Sequence, residues 1–376
     1  MNHRVSRLCA ILLLVGALFT FAGCNDVFDI DTQEEVARHR VYYRSTVMPY
    51  FETGEEGYFT GIDGVDIAYR AFSTDSSKGA IVVFHGKSEN LTKYAEFVYD
   101  MKDMGYAIYL LDHRGHGASG RLLADPMKVY VKDFDDYVED ANNLISNIVQ
   151  RRDGHETLFL VAHSMGGAIG SLYLEKYPRV FDGAVLCAPM QGINTEDFIK
   201  MSDEAGYALA LGNVVAGKGK EYGLKQEAPE DFGQDVGYEE GQVRFFTEAV
   251  THSYKRWLVN EEYLSERPEL LAGGAIIGVT WRWLEEGYAA IFKLRRNAWK
   301  ITTPLMLFEA VDDHFTTSEG HETFASRLRP GVLREYVRFD SDINGEHPAY
   351  HEILCEEDAI RNQAIAKIKT FITSFE

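Results

Sequence analysis

Short apolar runs alternate with longer amphipathic segments over most of the chain, and this alternation limits the possible folds more than any other feature. Residues 80–84 and 183–187 are apolar runs of strand length, whereas residues 132–151 carry apolar side chains at helical spacing. Strands joined through helices pair in parallel and are buried on both faces. The sequence therefore predicts an α/β fold with a mostly parallel central sheet and helices on both faces. The predicted strands comprise residues 80–84, 106–111, 157–161, 183–187, 304–308 and 333–339, preceded by a hairpin over 57–72.

The first residues have the pattern of an export signal. Arg4 and Arg7 precede an apolar run over residues 10–21, which is too short to span a bilayer comfortably. The run ends in Phe-Ala-Gly-Cys, and small residues before a cysteine resemble the lipobox of bacterial lipoproteins. We therefore expect a signal peptide over 1–23 and a lipidated Cys24. An ordinary secretory signal or an uncleaved anchor is the alternative.

The charge of the chain limits its partners. A formal net charge of -20 would repel a polyphosphate, which excludes nucleic acid, and it also excludes simple electrostatic docking on anionic lipid. Membrane attachment would therefore rest on the lipid carried by Cys24. Asn25, rather than Asp, follows this cysteine, which favours the outer membrane. We expect an exported, membrane-anchored lipoprotein of the bacterial cell envelope, at the outer membrane or facing the periplasm.

Residues 190–300 interrupt the strand–helix alternation. This stretch lacks short strand signals and contains all four tryptophans of the chain. Indoles concentrated between two core strands favour a lid over an apolar substrate, although additional core helices would give a similar pattern. The sequence divides accordingly into a signal peptide (1–23), a polar spacer (24–50), the first part of the core (51–189), a helical cap insertion (190–300) and the second part of the core (301–376).

The segment Ala-His-Ser-Met-Gly-Gly, which begins at Ala162, follows a predicted strand and precedes a predicted helix. This is the pattern of a nucleophile elbow, with Ala162 in the first small position and Ser164 at the sharp turn. Small neighbours are needed because strand and helix approach each other closely there. A plain turn serine is the alternative, and its position between strand and helix makes the nucleophile the favoured interpretation.

A serine hydroxyl at neutral pH needs a general base, and the base needs an acid that orients it. After a nucleophile elbow, the acid and then the histidine follow the serine along the chain. We therefore expect the acid after the strand at 304–308, where Asp312 and Asp313 are both candidates. Two histidines compete for the role of base. His347 precedes a proline and has the character of a loop residue, whereas His351 leads into the closing helix.

The loop after residue 84 is the expected source of oxyanion donors. The backbone amides of Lys87 and Met165 are the candidates, because acyl transfer needs preorganised N–H groups facing the developing charge. We assign supporting roles around this loop to His85, Gly86, Asp112 and Arg114.

No metal or cofactor is expected. His113 and His116 lack a third ligand at metal spacing, and the His-Glu pairs of the sequence lack the second histidine of a zinc motif.

Taken together, these motifs resemble the lysophospholipase and monoacylglycerol lipase group of α/β-hydrolases, and they are most similar to the bacterial lysophospholipase L2 type. The resemblance implies the α/β-hydrolase fold with an inserted cap, an acyl ester of an amphiphilic lipid as substrate, and no cofactor. It also favours Asp313 as the acid and His351 as the base. The matching stretches are residues 84–90, 112–121, 162–167, 266–270 with the glycines at 273 and 274, and 351–354.

The sequence thus predicts a serine hydrolase that cleaves lysophospholipid-like or monoacylglycerol-like esters through an acyl-enzyme. Two alternatives stay open: a carboxylesterase or peptidase on the same fold, and a catalytically inactive, lipid-anchored binding protein. The expected partners are the ester substrate and, through the N-terminal lipid, a membrane.

Overall fold

The computed structural model describes residues 31–74, 77–195, 200–224, 226, 250–267, 270, 278–342, 345 and 347–376. The predicted signal peptide and Cys24 lie outside these ranges, so lipidation stays a prediction. Residues 268 and 269 and the glycines at 273 and 274, which belong to the family resemblance, also lie outside them. Within the described ranges, no helix has both the length and the apolar character that crossing a membrane requires.

An eight-stranded sheet forms the middle layer, and it confirms the predicted mostly parallel arrangement. The strand order is β1-β2-β4-β3-β6-β7-β9-β10; β1 and β2 form an antiparallel edge, and the pairings from β4 onward are parallel. A separate parallel pair joins β5 to β8. The strands are β1 (Glu55–Thr60), β2 (Asp66–Phe72), β3 (Ala80–Phe84), β4 (Ala107–Leu111), β5 (Lys128–Val129), β6 (Leu158–His163), β7 (Gly183–Cys187), β8 (Gly278–Val279), β9 (Leu305–Ala310) and β10 (Leu333–Phe339).

Helices cover both faces of this sheet. The described α-helices are α1 (Gln33–Tyr42), α2 (Met48–Phe51), α3 (Ala95–Met101), α4 (Asp135–Asn143), α5 (Met165–Lys176), α6 (Asp203–Asn213), α7 (Tyr254–Ser265), α8 (Trp281–Asn297), α9 (Ser318–Arg327) and α10 (Asp358–Thr373). Helices α4, α5 and α8 pack on one face, and α3 and α10 pack on the other with the segment between α1 and α2.

Strand β3 shows why the core strands are continuous apolar runs in the sequence. Val82 and Phe84 belong to the hydrophobic cluster on one face, and Ile81 and Val83 belong to the cluster on the other. Successive side chains of a strand point to opposite faces, so a sheet covered on both sides needs an apolar residue at every position.

The predicted polar spacer over 24–50 differs from the structure, because residues from Gln33 onward are helical. Helix α1 continues through the π-helical segment Tyr43–Val47 into α2. Its buried side chains Val36, Tyr43, Val47 and Phe51 recur at helical spacing and pack against the body of the protein. The sequence analysis did not predict this helix, because charged residues separate its apolar positions.

Helix α1 is also tied to cap helix α7 by ion pairs. Arg40 makes two hydrogen bonds to Glu262, at 2.8 and 2.5 Å, and Arg44 makes two to Glu266, at 2.9 and 2.7 Å. Paired contacts of this kind fix the geometry of both guanidinium groups.

The segment between β7 and β9 contains helices α6, α7 and α8, together with a short strand that the sequence analysis missed. Strand β8 pairs with β5, which lies in the first part of the core. Next to it, the Thr280 hydroxyl donates to the carbonyl oxygen of Val129 at 2.9 Å and accepts the N–H of Trp283 at the start of α8. These contacts attach the start of α8 to the core.

The carboxyl ends of the parallel strands lie at the same edge of the sheet, where sites of open α/β sheets form. The first turn of α5 passes very close to the end of β3. A Cβ atom placed on Gly166 would lie 2.4 Å from the carbonyl oxygen of Phe84 and 2.5 Å from that of His85. Both neighbouring atoms belong to the backbone, so they cannot move aside as a flexible side chain would.

Gly166→Ala is therefore expected to lower the free energy of unfolding by more than about 2 kcal/mol, because it overpacks this contact. Gly212→Ala is the matched control. It lies in helix α6 with no atom within 4 Å of the added Cβ, and it is expected to be neutral or to stabilise by up to about 1 kcal/mol. Denaturant unfolding of both variants measures the difference; equal stabilities would contradict the close approach.

Candidate active site

Ser164 occupies the turn between β6 and α5 in a backbone conformation that side-chain-bearing residues rarely adopt, with φ 52° and ψ -119°. The turn is held by backbone hydrogen bonds, since the Ser164 N–H donates to the carbonyl oxygen of Cys187 and its own carbonyl oxygen accepts from Met190. Gly167 is as crowded as its neighbour, because an added Cβ would lie 2.5 Å from Pro189. This local crowding explains why the turn needs small residues.

His351 joins Ser164 to Asp313. Its Nε2 atom lies 2.8 Å from the Ser164 Oγ, and its Nδ1 atom lies 2.7 Å from Asp313 Oδ2. With Nδ1 protonated, the ring donates to the carboxylate and accepts the serine hydroxyl proton at Nε2. The three residues come from different strand ends: Ser164 follows β6, Asp313 follows β9 and His351 follows β10.

The Asp313 carboxylate is held by several donors. Oδ1 accepts the N–H groups of Phe315 and Thr316 at 2.7 and 2.9 Å, and Oδ2 accepts the Thr316 hydroxyl at 2.6 Å in addition to His351. Burial by itself would raise the pKa of Asp313, but His351 and the hydrogen bonds from Thr316 hold that pKa well below its usual range. Asp313 therefore stays ionised beside the imidazole.

The alternative acid and base lie elsewhere. The Asp312 side chain is 46% exposed, and its carboxylate lies 3.8 Å from His314. The His347 ring stacks on His252, with centroids 5.4 Å apart. Of the two candidate pairs, the structure brings Asp313 and His351 to Ser164.

Of the two predicted oxyanion donors, one follows Ser164 directly in the chain and the other lines the same cavity as Ser164. Met165 is the first residue of α5, where backbone N–H groups have no partner inside the helix. Lys87 lies in the loop after β3 and, with Ser164, lines the same cavity.

The residues predicted to support this loop form a connected hydrogen-bond network. His85 Nδ1 lies 2.7 Å from the Gly86 carbonyl oxygen, and His85 Nε2 accepts the N–H of His113. Asp112 accepts the N–H of Leu91 at 2.7 Å, in the turn that follows the loop. Burial raises the pKa of Asp112 to about 7, against the lowering effect of the backbone hydrogen bonds that it accepts.

Arg114, which follows β4, is anchored to helix α4. Its guanidinium makes two hydrogen bonds to Asp140 on helix α4 and one to Asp136. The rings of His113 and His116 pack beside His85, with centroids 4.6 and 5.4 Å away. His85 is therefore a third histidine beside the two that the sequence analysis considered as metal ligands. No metal-binding group is formed by the described residues, however.

The sequence analysis missed a buried polar network centred on Glu89. One carboxylate oxygen accepts the Gly86 N–H at 2.8 Å, and the other lies 3.0 Å from the Lys93 ammonium and 3.1 Å from His163 Nδ1. The second ring nitrogen of His163 lies 3.1 Å from the carbonyl oxygen of His351. Glu89 therefore connects the oxyanion loop to the backbone of the base.

The charges of this network support one another. Burial by itself would raise the pKa of Glu89, but Lys93 and His163 hold it well below its usual range. Burial lowers the pKa of His163, but the charge of Glu89 and the hydrogen bond to it act together in the opposite direction, and the net shift is upward. A protonated His163 donates hydrogen bonds to both Glu89 and the His351 carbonyl oxygen. Glu352 completes the group through an ion pair with Lys93.

A cavity of about 420 Å³ opens beside Ser164 and His351. Trp257, Trp281 and Trp283 from the cap line it, whereas Trp299 lies outside it and is 50% exposed, so only part of the predicted indole lid faces the cavity. Its other apolar lining residues include Met190, Ile193, Leu209, Leu224, Val279, Leu284 and Tyr288. A cavity lined by apolar side chains together with a few polar groups is typical of a small-molecule site.

A mostly parallel sheet with a serine on the tight turn after its β6 strand defines an α/β-hydrolase. The family model for serine aminopeptidase, S33, matches residues 75–223. Lysophospholipase L2 of Escherichia coli (strain K12) is 30% identical over 330 residues, which covers 86% of this chain and 88% of that protein. Monoacylglycerol lipase of Mycolicibacterium smegmatis is 34% identical over 168 residues, 44% of this chain and 56% of that protein.

Solved structures agree on the fold. A soluble variant of monoglyceride lipase from Saccharomyces cerevisiae superposes with a TM-score of 0.59 at 18% identity, covering 85% of this chain and 94% of that one. The chain therefore belongs to the lysophospholipase L2 and monoacylglycerol lipase group of α/β-hydrolases, and it is a carboxylic-ester hydrolase.

Glu89→Gln is expected to lower the free energy of unfolding at pH 7 by about 3 kcal/mol or more, because Lys93 and His163 would stay buried with a weaker partner. The Glu89 pKa is depressed in the folded protein, so its contribution is complete above the unfolded value near 4.3 and is lost as pH falls through the folded value. On the acid side, the difference between the two proteins should therefore shrink below about pH 4.

The matched control for this prediction is Glu335→Gln, which removes a partly exposed ion pair with Lys367 and is expected to cost at most about 1 kcal/mol. Denaturant unfolding across pH measures both variants. A Glu89→Gln protein as stable as the control at pH 7 would contradict the network.

Proposed function

We propose that this enzyme hydrolyses carboxylic esters of amphiphilic lipids, as a lysophospholipase or monoacylglycerol lipase, through Ser164, His351 and Asp313. The observation that carries the proposal is the 2.8 Å contact between the Ser164 Oγ and His351 Nε2 beside a largely apolar cavity. Relatives named lysophospholipase L2 and monoacylglycerol lipase support the choice of substrate class.

The reaction begins when the Ser164 Oγ attacks the ester carbonyl carbon and its proton passes to His351 Nε2. Asp313 stabilises the imidazolium that forms. The amides of Lys87 and Met165 hold the oxyanion of the tetrahedral intermediate. The ester C–O bond then breaks, the Nε2 proton passes to the leaving alcohol, and the acyl group remains on Ser164.

Water completes the cycle. It attacks the acyl carbonyl carbon while His351 takes its proton, and collapse of the second tetrahedral intermediate returns that proton to the Ser164 oxygen and releases the fatty acid. Burial of the acyl chain against the apolar lining contributes about 0.8 kcal/mol per methylene group, so long acyl chains are favoured over short ones.

Ser164→Ala is expected to reduce hydrolysis of lysolipid and monoacylglycerol esters by about a thousandfold or more, because it removes the nucleophile. Fatty-acid release over a series of acyl chain lengths measures the effect in both proteins, and amide substrates test the peptidase alternative. Thermal unfolding confirms that the variant folds. Retained turnover in the folded variant would contradict the proposal, and preferential cleavage of amides would assign a peptidase.

Asp313→Asn is expected to lower kcat by about 10³-fold or more, since the amide no longer stabilises the imidazolium and favours the wrong ring tautomer. Asp312→Asn is the matched control on the adjacent residue, and because its carboxylate does not contact His351 we expect a change within about threefold. Steady-state kinetics of the two variants decide between the aspartates. A larger loss in the Asp312 variant would reverse the assignment.

A further inference from the structure

One of the cations that line the cavity has no carboxylate partner among the residues that the structure describes. Among the described lining residues, Lys87, Lys93 and Arg256 carry side chains that are cationic at neutral pH. Lys93 pairs with Glu89 and Glu352, and Arg256 pairs with two acidic groups. Within the described part of the chain, the Lys87 ammonium has only the hydroxyl of neighbouring Ser88, at 3.2 Å, within hydrogen-bond distance.

The nearest acidic residue does not neutralise Lys87. The two carboxylate oxygens of Glu89 are taken by Gly86, Tyr94, Lys93 and His163. Burial lowers the pKa of Lys87 to about 8, with a smaller opposing effect of Glu89. An ammonium that is partly removed from water without an anion beside it is unfavourable, and an anionic ligand would relieve that cost.

We propose that the Lys87 ammonium binds the phosphate of the substrate headgroup and makes the enzyme selective for phosphate-bearing lysolipids over neutral monoacylglycerols. This inference rests on the proposed function, because it places the headgroup of the ester that Ser164 attacks.

The covalent structure of Lys87 supports this placement. Its backbone amide is the proposed oxyanion donor, so the side chain starts next to the ester carbonyl. In a lysophospholipid, a glycerol unit separates that carbonyl from the phosphate, and the extended lysine side chain has a comparable reach.

The overall charge makes a local cation necessary for such a substrate. A protein with a formal net charge of -20 repels an anionic headgroup at long range. A charge-assisted hydrogen bond from Lys87 would offset this repulsion at the headgroup itself.

The experiment compares two substrates that share an acyl chain, decanoyl lysophosphatidylglycerol and monodecanoylglycerol, each below its critical micelle concentration. The ratio of their kcat/KM values is expected to fall about tenfold to a hundredfold in Lys87→Met, because the lost bond involves two charged groups. Lys87→Arg keeps the charge and binds phosphate, so it should retain the ratio within about threefold. If Lys87→Met fails to fold, Lys87→Gln takes its place.

A matched control removes a lysine charge far from the cavity. The Lys132 side chain is 73% exposed, and Lys132→Met should leave the substrate ratio unchanged, which separates local binding from the effect of net charge. An equal loss for both substrates in Lys87→Met, or an unchanged ratio, would overturn the proposal. Neither result would affect the hydrolase assignment, which the Ser164→Ala variant tests separately.

Inorganic phosphate distinguishes a lipid headgroup from a free anion. If Lys87 served a free-phosphate site, phosphate would inhibit monodecanoylglycerol hydrolysis in the unchanged enzyme and not in Lys87→Met, while the substrate ratio stayed equal in the two proteins. That pattern would overturn the assignment to the headgroup.

Discussion

The close approach of helix α5 to the end of strand β3 is the constraint on which the site depends. No side chain fits at Gly166, because two backbone carbonyl oxygens occupy the space that a Cβ would need. This contact places the start of α5 against the oxyanion loop and leaves Ser164 with a positive φ of 52°. The neighbouring strand ends then bring Asp313 and His351 within hydrogen-bond distance of each other and of the serine hydroxyl.

Two buried carboxylates hold the base from different sides. Asp313 contacts the ring of His351 at Nδ1, and Glu89 contacts its backbone through the ring of His163. Glu89 also accepts the Gly86 N–H in the oxyanion loop, so the position of the base and the position of the loop are linked through one side chain. In our account, this linkage preorganises the groups that must act together on a single carbonyl.

Local sequence patterns were sufficient to predict the sheet and the nucleophile turn. They did not predict contacts between residues that lie far apart in the chain. Continuous apolar runs predicted the parallel strands, because both faces of the sheet are covered. The contact between His163 and His351 joins residues 188 positions apart, and nothing in their immediate neighbours signals it. The helix after Gln33 was missed because charged residues separate its apolar positions, and the exposed Trp299 shows that composition alone does not place a side chain in a lid.

The central claim is that His351 activates the hydroxyl of Ser164, and covalent labelling by a fluorophosphonate tests it most directly because only an activated serine reacts at an appreciable rate. Peptide mass analysis should place a single adduct on Ser164. The labelling rate should fall by about a hundredfold or more in His351→Ala and stay close to the original in His347→Ala. Absence of labelling at Ser164 in the folded protein, or an equal rate in His351→Ala, would contradict the account.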